Sequence, residues 1–241
     1  MHRSQSGVSL RIGFILAWII LNAFAGVAAR SFVATASTKT KVMLIADARR
    51  LPLGTIVTIE GSVTVASGAF KASVADEGFA IQDKSGGIYV SMSTGLGLLV
   101  RQRVRLTGKL AESLGLLVIV PVDAQAIEVR GQRGSEVKPE NVLTGKIGET
   151  TEGRLVKVKG MMTREVVSDL PYGFRLFLND GSGEIQVFVS ASTKIDLSKL
   201  QMGQRLSVTG FSGQYKDHYE VSPRSQADIR LLIPRNRRPP P

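Results

Sequence analysis

The residues best suited to chemistry in this chain are aromatic and basic side chains between positions 157 and 219. Phe177 and Phe188 alternate with apolar residues, so in a strand both rings would point away from the core. Basic residues follow the same alternation nearby. Exposed rings can stack nucleotide bases and cations can neutralise phosphates, which is what binding of a single-stranded nucleic acid requires. The candidate ligand-binding residues are Lys157, Lys159, Arg175, Phe177, Gln186, Phe188, Arg205, Tyr215, Lys216 and Tyr219.

A second interpretation of these residues stays open. Two outward phenylalanines can equally be covered by a neighbouring domain, by a leader segment or by a partner protein. Basic residues at alternate strand positions are commonly a solvated face, and Tyr215 and Lys216 also suit the polar tip of a hairpin. The pattern therefore predicts either a binding platform or a covered surface.

The same inventory argues against catalysis and metal binding. The chain has no cysteine and two histidines, of which only His218 follows the first few residues. No serine or carboxylate pair stands at a spacing that ties it to His218, so we predict a non-enzyme without cofactor or metal. Asp83 and Asp180 occupy the same position in two similar turns, where an aspartate usually caps its own backbone.

The elements that position these residues belong to a structural unit that is repeated in tandem. Each copy contains a strand bracketed by glycines, a strand–turn–strand hairpin and a further strand ending in glycine. The matching blocks are 54–61 with 153–160, 81–90 with 178–187, and 102–108 with 204–210.

The alternation within each unit assigns an inward and an outward face. Apolar positions such as Ile59 in the first unit and Val158 in the second are predicted to fill the two cores. On its outward face the first unit offers one aromatic residue, Tyr89, and two arginines opposed by Glu60.

These observations predict an all-β protein made of two tandem five-stranded Greek-key barrels with short helical leaders at 44–49 and 139–143. The Gly- and charge-rich stretch between the units is typical of a linker. The Arg/Pro-rich end is predicted to be a tail without regular structure. The predicted segments are a signal peptide at 1–36, barrel 1 at 42–130, a linker at 131–139, barrel 2 at 140–233 and a tail at 234–241.

The glycine-bracketed strand, the Ile-Gln-Asp-x-Ser-Gly-Gly-Ile-Tyr-Val block (81–90) and the Arg-Val-x-Leu-Thr-Gly block (103–108) resemble OB-fold domains of exported bacterial proteins. Similar domains accompany secreted nucleases and occur in extracytoplasmic regions of bacterial signalling proteins. The resemblance covers about residues 44–232 and implies the OB fold. Because OB barrels bind oligonucleotides, oligosaccharides and proteins alike, it does not select a ligand.

Charge and the N-terminal segment bear on localisation. The net charge is +11, but residues 131–233 hold fourteen basic and twelve acidic residues, a net charge of only +2. Arg3 and Arg11 precede an apolar run and then small residues with Ala-x-Ala sites, the order of a secretory signal peptide. We expect export to the periplasm or the extracellular space, with no membrane association after cleavage. An uncleaved membrane anchor is the alternative, because residues 12–29 are long enough to span a bilayer.

The sequence thus predicts an exported binding protein whose barrel 2 holds single-stranded nucleic acid or another anionic polymer. The alternative is an extracytoplasmic protein–protein interaction or sensory module without nucleic acid. A third possibility is an oligosaccharide-binding module, which is disfavoured because the single tryptophan, Trp18, lies in the predicted signal peptide.

Overall fold

The computed structural model of the chain describes residues 41–70, 76–130, 134 and 136–233. The predicted signal peptide, the predicted tail and residues 131–133 and 135 of the predicted linker lie outside these residues. No helix in the described ranges has the length and apolar character needed to cross a membrane.

Barrel 1 is a ring of five strands closed by hydrogen bonds. The elements are β1 (Val42–Met43), α1 (Ile45–Ala48), β2 (Ile56–Val65), β3 (Phe79–Gln82), β4 (Gly87–Val90), β5 (Arg103–Ser113), β6 (Leu116–Pro121) and β7 (Ile127–Val129). In order around the ring, β2 pairs with β3, β3 with β4, β4 with β6, β6 with β5, and β5 again with β2, and only the β4–β6 pairing in the ring is parallel.

Barrel 2 repeats this topology. The elements are β8 (Glu140–Asn141), β9 (Leu155–Met162), β10 (Val167–Asp169), β11 (Gly173–Asn179), β12 (Glu184–Ser190), β13 (Arg205–Tyr215), β14 (His218–Ser222) and β15 (Ile229–Leu231). The ring runs β9–β11–β12–β14–β13 and back to β9, again with one parallel pairing, between β12 and β14. The chain is therefore an all-β protein of two tandem OB-like barrels.

The predicted alternation of inward and outward residues is confirmed in both cores. Each barrel has its own cluster of fully buried side chains, represented by Ile59 in barrel 1 and Val158 in barrel 2. Small strands with one buried face need this two-residue period, because successive side chains point to opposite sides of the sheet.

The two leaders differ from each other. In barrel 1, residues Ile45–Ala48 form the expected helical turn. In barrel 2 the predicted helix at 139–143 is wrong: Glu140 and Asn141 form β8, which pairs in parallel with β9, and a 3-10 turn follows at Thr144–Lys146. The leader packs closely on the β11–β12 hairpin, where a Cβ on Gly145 would lie 2.2 Å from the Ser182 carbonyl oxygen.

The barrels pack directly against each other. Tyr89 points away from the core of its own barrel, as predicted, but it is not exposed. It is buried in a third apolar cluster together with Val65 and Val118 of barrel 1 and Phe211 of barrel 2. The covering side chain comes from the other barrel, so the alternation in β4 alone does not reveal it.

Candidate functional site

Two outward surfaces of barrel 2 contain the predicted binding residues, and the first is the face of β9, β13 and β15. Lys159 lies opposite Ser207 of β13, which in turn lies opposite Arg230 of β15. Two residues before Lys159, Lys157 lies opposite Thr209, and two residues after it, Met161 lies opposite Arg205. These side chains share the outward parity of their strands. We call this surface the cationic face, and its four basic residues are Lys157, Lys159, Arg205 and Arg230.

The cationic face carries no neutralising carboxylate among the described residues. Lys159, Arg205 and Arg230 are exposed and Lys157 is half-buried. Arg230 donates from Nε to the carbonyl oxygen of Ala227 at 3.4 Å, a bond that leaves its charge uncompensated. Four cations without a neighbouring carboxylate give this surface a positive potential that attracts anions.

Barrel 1 has the same face with the charges cancelled. Glu60 stands where barrel 2 has Lys159, and its carboxylate accepts from Arg103 Nε at 2.6 Å and from Arg105 at 2.8 Å. Glu128 stands where barrel 2 has Arg230 and lies opposite Arg105. Burial opposes the charged form of Glu60, but the hydrogen bonds and charges of the two arginines outweigh it and lower its pKa. The repeat thus contains a matched pair of faces, one neutral and one cationic.

Phe177 adjoins the cationic face at the end of β9. Met161 is 53% exposed and lies opposite Asn179, and two residues further the Thr163 amide donates to the Phe177 carbonyl at 3.0 Å. The Phe177 ring is half-buried, with the guanidinium carbon of Arg164 4.1 Å from its centroid. A cation at this distance over a ring is a favourable contact. The same guanidinium is paired with the Glu184 carboxylate, so it adds no uncompensated charge to the cationic face.

The second surface is a cleft of about 340 Å³ between the barrels. Four predicted residues line it, and we call it the inter-barrel cleft: Arg175, Gln186, Phe188 and Tyr215. Phe188 lies opposite Arg175 in the β11–β12 pair, and barrel 1 closes the other side with Tyr89 and neighbouring apolar residues. Phe177 and Phe188 therefore share the outward parity of barrel 2 but face different surroundings.

The remaining two predicted residues lie at the edges. Lys216, at the tip of the β13–β14 hairpin, holds its ammonium 5.3 Å from the Tyr215 ring centroid, and its amide donates to the Leu114 carbonyl of barrel 1 at 2.6 Å. Tyr219 packs against the core of barrel 2 and donates its hydroxyl to Glu149 at 3.1 Å. Tyr219 does not line the inter-barrel cleft.

The paired turn aspartates cap their turns, as expected, and also hold the leaders. Asp83 accepts from the amides of Ser85 and Gly86, and from the amide of Ile45 at 3.0 Å. Asp180 does the same in barrel 2, where it accepts from Ser182 and from the amide of Thr144 at 3.1 Å.

Both turn carboxylates are stabilised in the charged form. Burial opposes the charge on Asp83, but its hydrogen bonds outweigh burial and lower its pKa. For Asp180 the hydrogen bond from the Ser182 hydroxyl is the main cause of a lowered pKa.

Among the described residues, no group of three or more His, Asp or Glu side chains could hold a metal ion.

Sequence reasoning missed several residues of these surfaces, among them Arg230, Arg164, Tyr172 and Glu220. Arg230 follows the outward alternation of β15 and was detectable in principle, because Ile229 before it is buried. Arg164 and Tyr172 lie in the loops before and after β10, where no strand period applies. Only the folded chain shows that Arg164 covers Phe177 and that Tyr172 reaches the inter-barrel cleft.

No protein-family model matches the sequence, and no curated protein resembles it. Solved structures that the chain matches include a murine DNA-binding protein bound to double-stranded DNA, at 11% identity and a TM-score of 0.38, covering 68% of this chain and 90% of that one. Another is fission yeast Pot1 with single-stranded DNA, at 12% identity and a TM-score of 0.39, covering 84% of this chain and 91% of that one. At this level of similarity, these matches carry no information about the ligand of this chain.

Proposed function

We propose that this chain is a non-catalytic binding protein whose barrel 2 holds an anionic polymer on its cationic face, with single-stranded nucleic acid as the leading ligand. The observation that carries the proposal is the difference between the two repeats. Equivalent positions hold a cancelled charge network around Glu60 in barrel 1 and four unpaired cations in barrel 2. A merely solvated surface has no need for that difference.

The arrangement suits a chain of phosphates better than a single anion. Lys157 and Lys159 are two residues apart on one strand, which places their side chains about 7 Å apart on the same side of the sheet. Arg230 extends this row across β13, and Arg205 lies beside Met161 at its end. Cations spread along two directions of a sheet can follow a flexible polyanion, and binding would release its condensed counterions.

Phe177 favours a single strand over a duplex. Its ring lies next to the cationic face, and the Arg164 guanidinium covers one of the two sides of the ring. A base can stack on such a ring only when it is unpaired, and stacking contributes about 1–3 kcal/mol per base.

The test is fluorescence anisotropy with a labelled single-stranded oligonucleotide at several salt concentrations. The test variant is Lys157→Gln/Lys159→Gln/Arg205→Gln/Arg230→Gln, and Lys41→Gln/Lys84→Gln/Lys109→Gln/Lys199→Gln is a control with the same net charge. We expect the first variant to lose affinity by about tenfold or more and the control to stay close to wild type. The logarithm of the wild-type affinity should fall with the logarithm of salt at a slope of about −3 if four phosphates are contacted.

Equal losses in both variants would show that only net charge matters and would contradict a specific face. Absence of oligonucleotide binding by the wild-type protein at low salt would favour the alternative, a protein-interaction module. One observation supports that alternative: Ile56 and Val120 are exposed apolar side chains on either side of Lys109 in barrel 1.

Export belongs to the same proposal and rests on the sequence of residues 1–36 alone. We expect a mature protein that begins near residue 26 or 37 when the chain is produced in a bacterium with a secretory pathway. N-terminal sequencing of the extracytoplasmic protein tests this, and an intact Met1 would support the membrane-anchor alternative.

A further inference from the structure

The inter-barrel cleft has a chemical character opposite to that of the cationic face. Its wall from barrel 2 is polar and aromatic, and its wall from barrel 1 is mainly apolar, with Leu114, Leu116 and Val118. Its volume of about 340 Å³ lies in the range of small-molecule sites.

Carboxylates outnumber cations in this cleft. The acidic lining residues are Asp76, Asp169 and Glu220, while Arg175 is the basic one and His218 the remaining titratable imidazole. Arg175 Nε lies 3.7 Å from the Asp169 carboxylate, so these two charges offset each other. A phosphate or carboxylate ligand would be repelled by the remaining acids.

Of the two least exposed carboxylates in the cleft, Asp76 and Glu220, Glu220 has fewer protein partners. Asp76 accepts from the amides of Gly78 and Met92 and from two hydroxyls of barrel 1. Glu220 accepts one hydrogen bond, from Gln186 Nε2 at 2.9 Å, and its Oε2 lies 3.8 Å from His218 Nε2. Burial raises its pKa, because the charged form has too few partners.

Three aromatic side chains, Tyr172, Phe188 and Tyr215, line the cleft together with this carboxylate. Tyr172 and Tyr215 are 56% and 37% exposed, and Phe188 is half-buried next to Gln186, which lies opposite Glu220 on β14. Rings beside an acid form a site that attracts an organic cation, because the ring face and the carboxylate are both electronegative.

We propose that the inter-barrel cleft binds a small organic ammonium ligand, whose protonated amine meets Glu220 and whose apolar body lies against Phe188 and Tyr215. This site is separate from the cationic face and does not depend on nucleic-acid binding. The acids of the cleft select against the anionic ligands that the cationic face attracts.

The experiment uses three probes of similar size and different charge: 2-phenylethylamine, 2-phenylethanol and 3-phenylpropanoate. Each is titrated into the isotopically labelled protein while the backbone amide signals of Gln186, Tyr215 and Glu220 are followed by NMR. We expect the amine to bind about tenfold more tightly than the alcohol, and the carboxylate to bind most weakly. Glu220→Gln should remove the preference for the amine, whereas Glu165→Gln, an exposed acid of barrel 2 outside the cleft, should keep it.

Equal affinities for the three probes on wild-type protein would overturn the proposal, and this comparison needs no variant to fold. No shift of the three amides by the amine at about 10 mM, corresponding to less than about 3 kcal/mol of binding free energy, would also overturn it. A preference for the amine that survives in folded Glu220→Gln would refute the role of this carboxylate.

Discussion

The rings of Tyr89 and Phe211 lie with their centroids 5.9 Å apart and their planes inclined by 58°, one ring from each barrel. Both side chains are almost fully buried although each belongs to the outer surface of its own barrel. Burial raises the pKa of Tyr89, and the nearby Asp76 carboxylate adds to that effect. This buried contact joins the two barrels within one folded structure.

We predict that Phe211→Ala destabilises the protein by about 3–5 kcal/mol, because it opens a cavity in the apolar cluster that joins the barrels. Chemical denaturation followed by circular dichroism and by tyrosine fluorescence measures this loss. Phe79→Ala is the control. Because Phe79 is fully buried in the core of barrel 1, this substitution should destabilise barrel 1 itself and not the contact between the two barrels. A Phe211→Ala protein as stable as wild type would contradict the interface.

The charged counterpart of this interface is the pair formed by Arg49 of barrel 1 and Glu152 of barrel 2, at 2.9 Å. Only 1% of the Glu152 side chain and 11% of the Arg49 side chain are exposed. Burial is the main influence on Glu152 and raises its pKa despite the arginine. Removing the arginine leaves a buried carboxylate without its cation.

Arg49→Met should therefore cost about 3–5 kcal/mol of unfolding free energy at neutral pH. Glu152→Gln in the Arg49→Met background should recover much of this loss, because a neutral amide tolerates burial better. Urea denaturation of the two single variants and the double variant measures the coupling. Additive losses, with no recovery, would show that the pair is not the cause.

The turn aspartates give a pH-dependent prediction. The pKa of Asp83 is lowered in the folded chain by hydrogen bonds that include the Ile45 amide of the leader. A depressed folded pKa contributes stability that is fully present above the unfolded value of about 3.9 and is lost as the pH falls through the folded pKa.

Asp83→Asn should therefore lower stability at pH 7, and the difference from wild type should shrink below about pH 4. Asp47→Asn, an exposed acid of α1, serves as the control and should show little of this dependence. Thermal unfolding across the acidic range checks the prediction, and a difference between wild type and Asp83→Asn that is constant with pH would contradict it.

The strand alternation predicted both cores because it is a local property: Ile59 and Val158 each sit on the apolar parity of a strand bracketed by glycines. The docking of the barrels was not predictable in this way. Tyr89 has the outward parity of an exposed residue, and nothing within β4 indicates that Phe211 covers it. The same limit applies to the binding residues, since the period of β11 and β12 places Phe177 and Phe188 alike.

The charge pattern was partly predictable from the sequence. Glu60 opposing two arginines was visible in the repeat, as were Lys157 and Lys159 at the matching positions. Their significance depends on register, because only the pairing of β13 with β15 adds Arg230 to the cationic face and shows that no carboxylate of the described chain opposes it. Sequence period predicts which side a residue occupies, and topology decides its neighbours.

The two phenylalanines separate the two proposed sites. Phe177 adjoins the cationic face under Arg164, whereas Phe188 lines the inter-barrel cleft, where acids outnumber bases. Phe177→Ala should therefore weaken oligonucleotide binding by about 1–3 kcal/mol through loss of one stacking platform, while Phe188→Ala should leave it nearly unchanged. For 2-phenylethylamine in the cleft the order should reverse. Parallel anisotropy and NMR titrations of both folded variants measure the two effects, and a similar loss of oligonucleotide affinity in both would place the strand in the cleft instead.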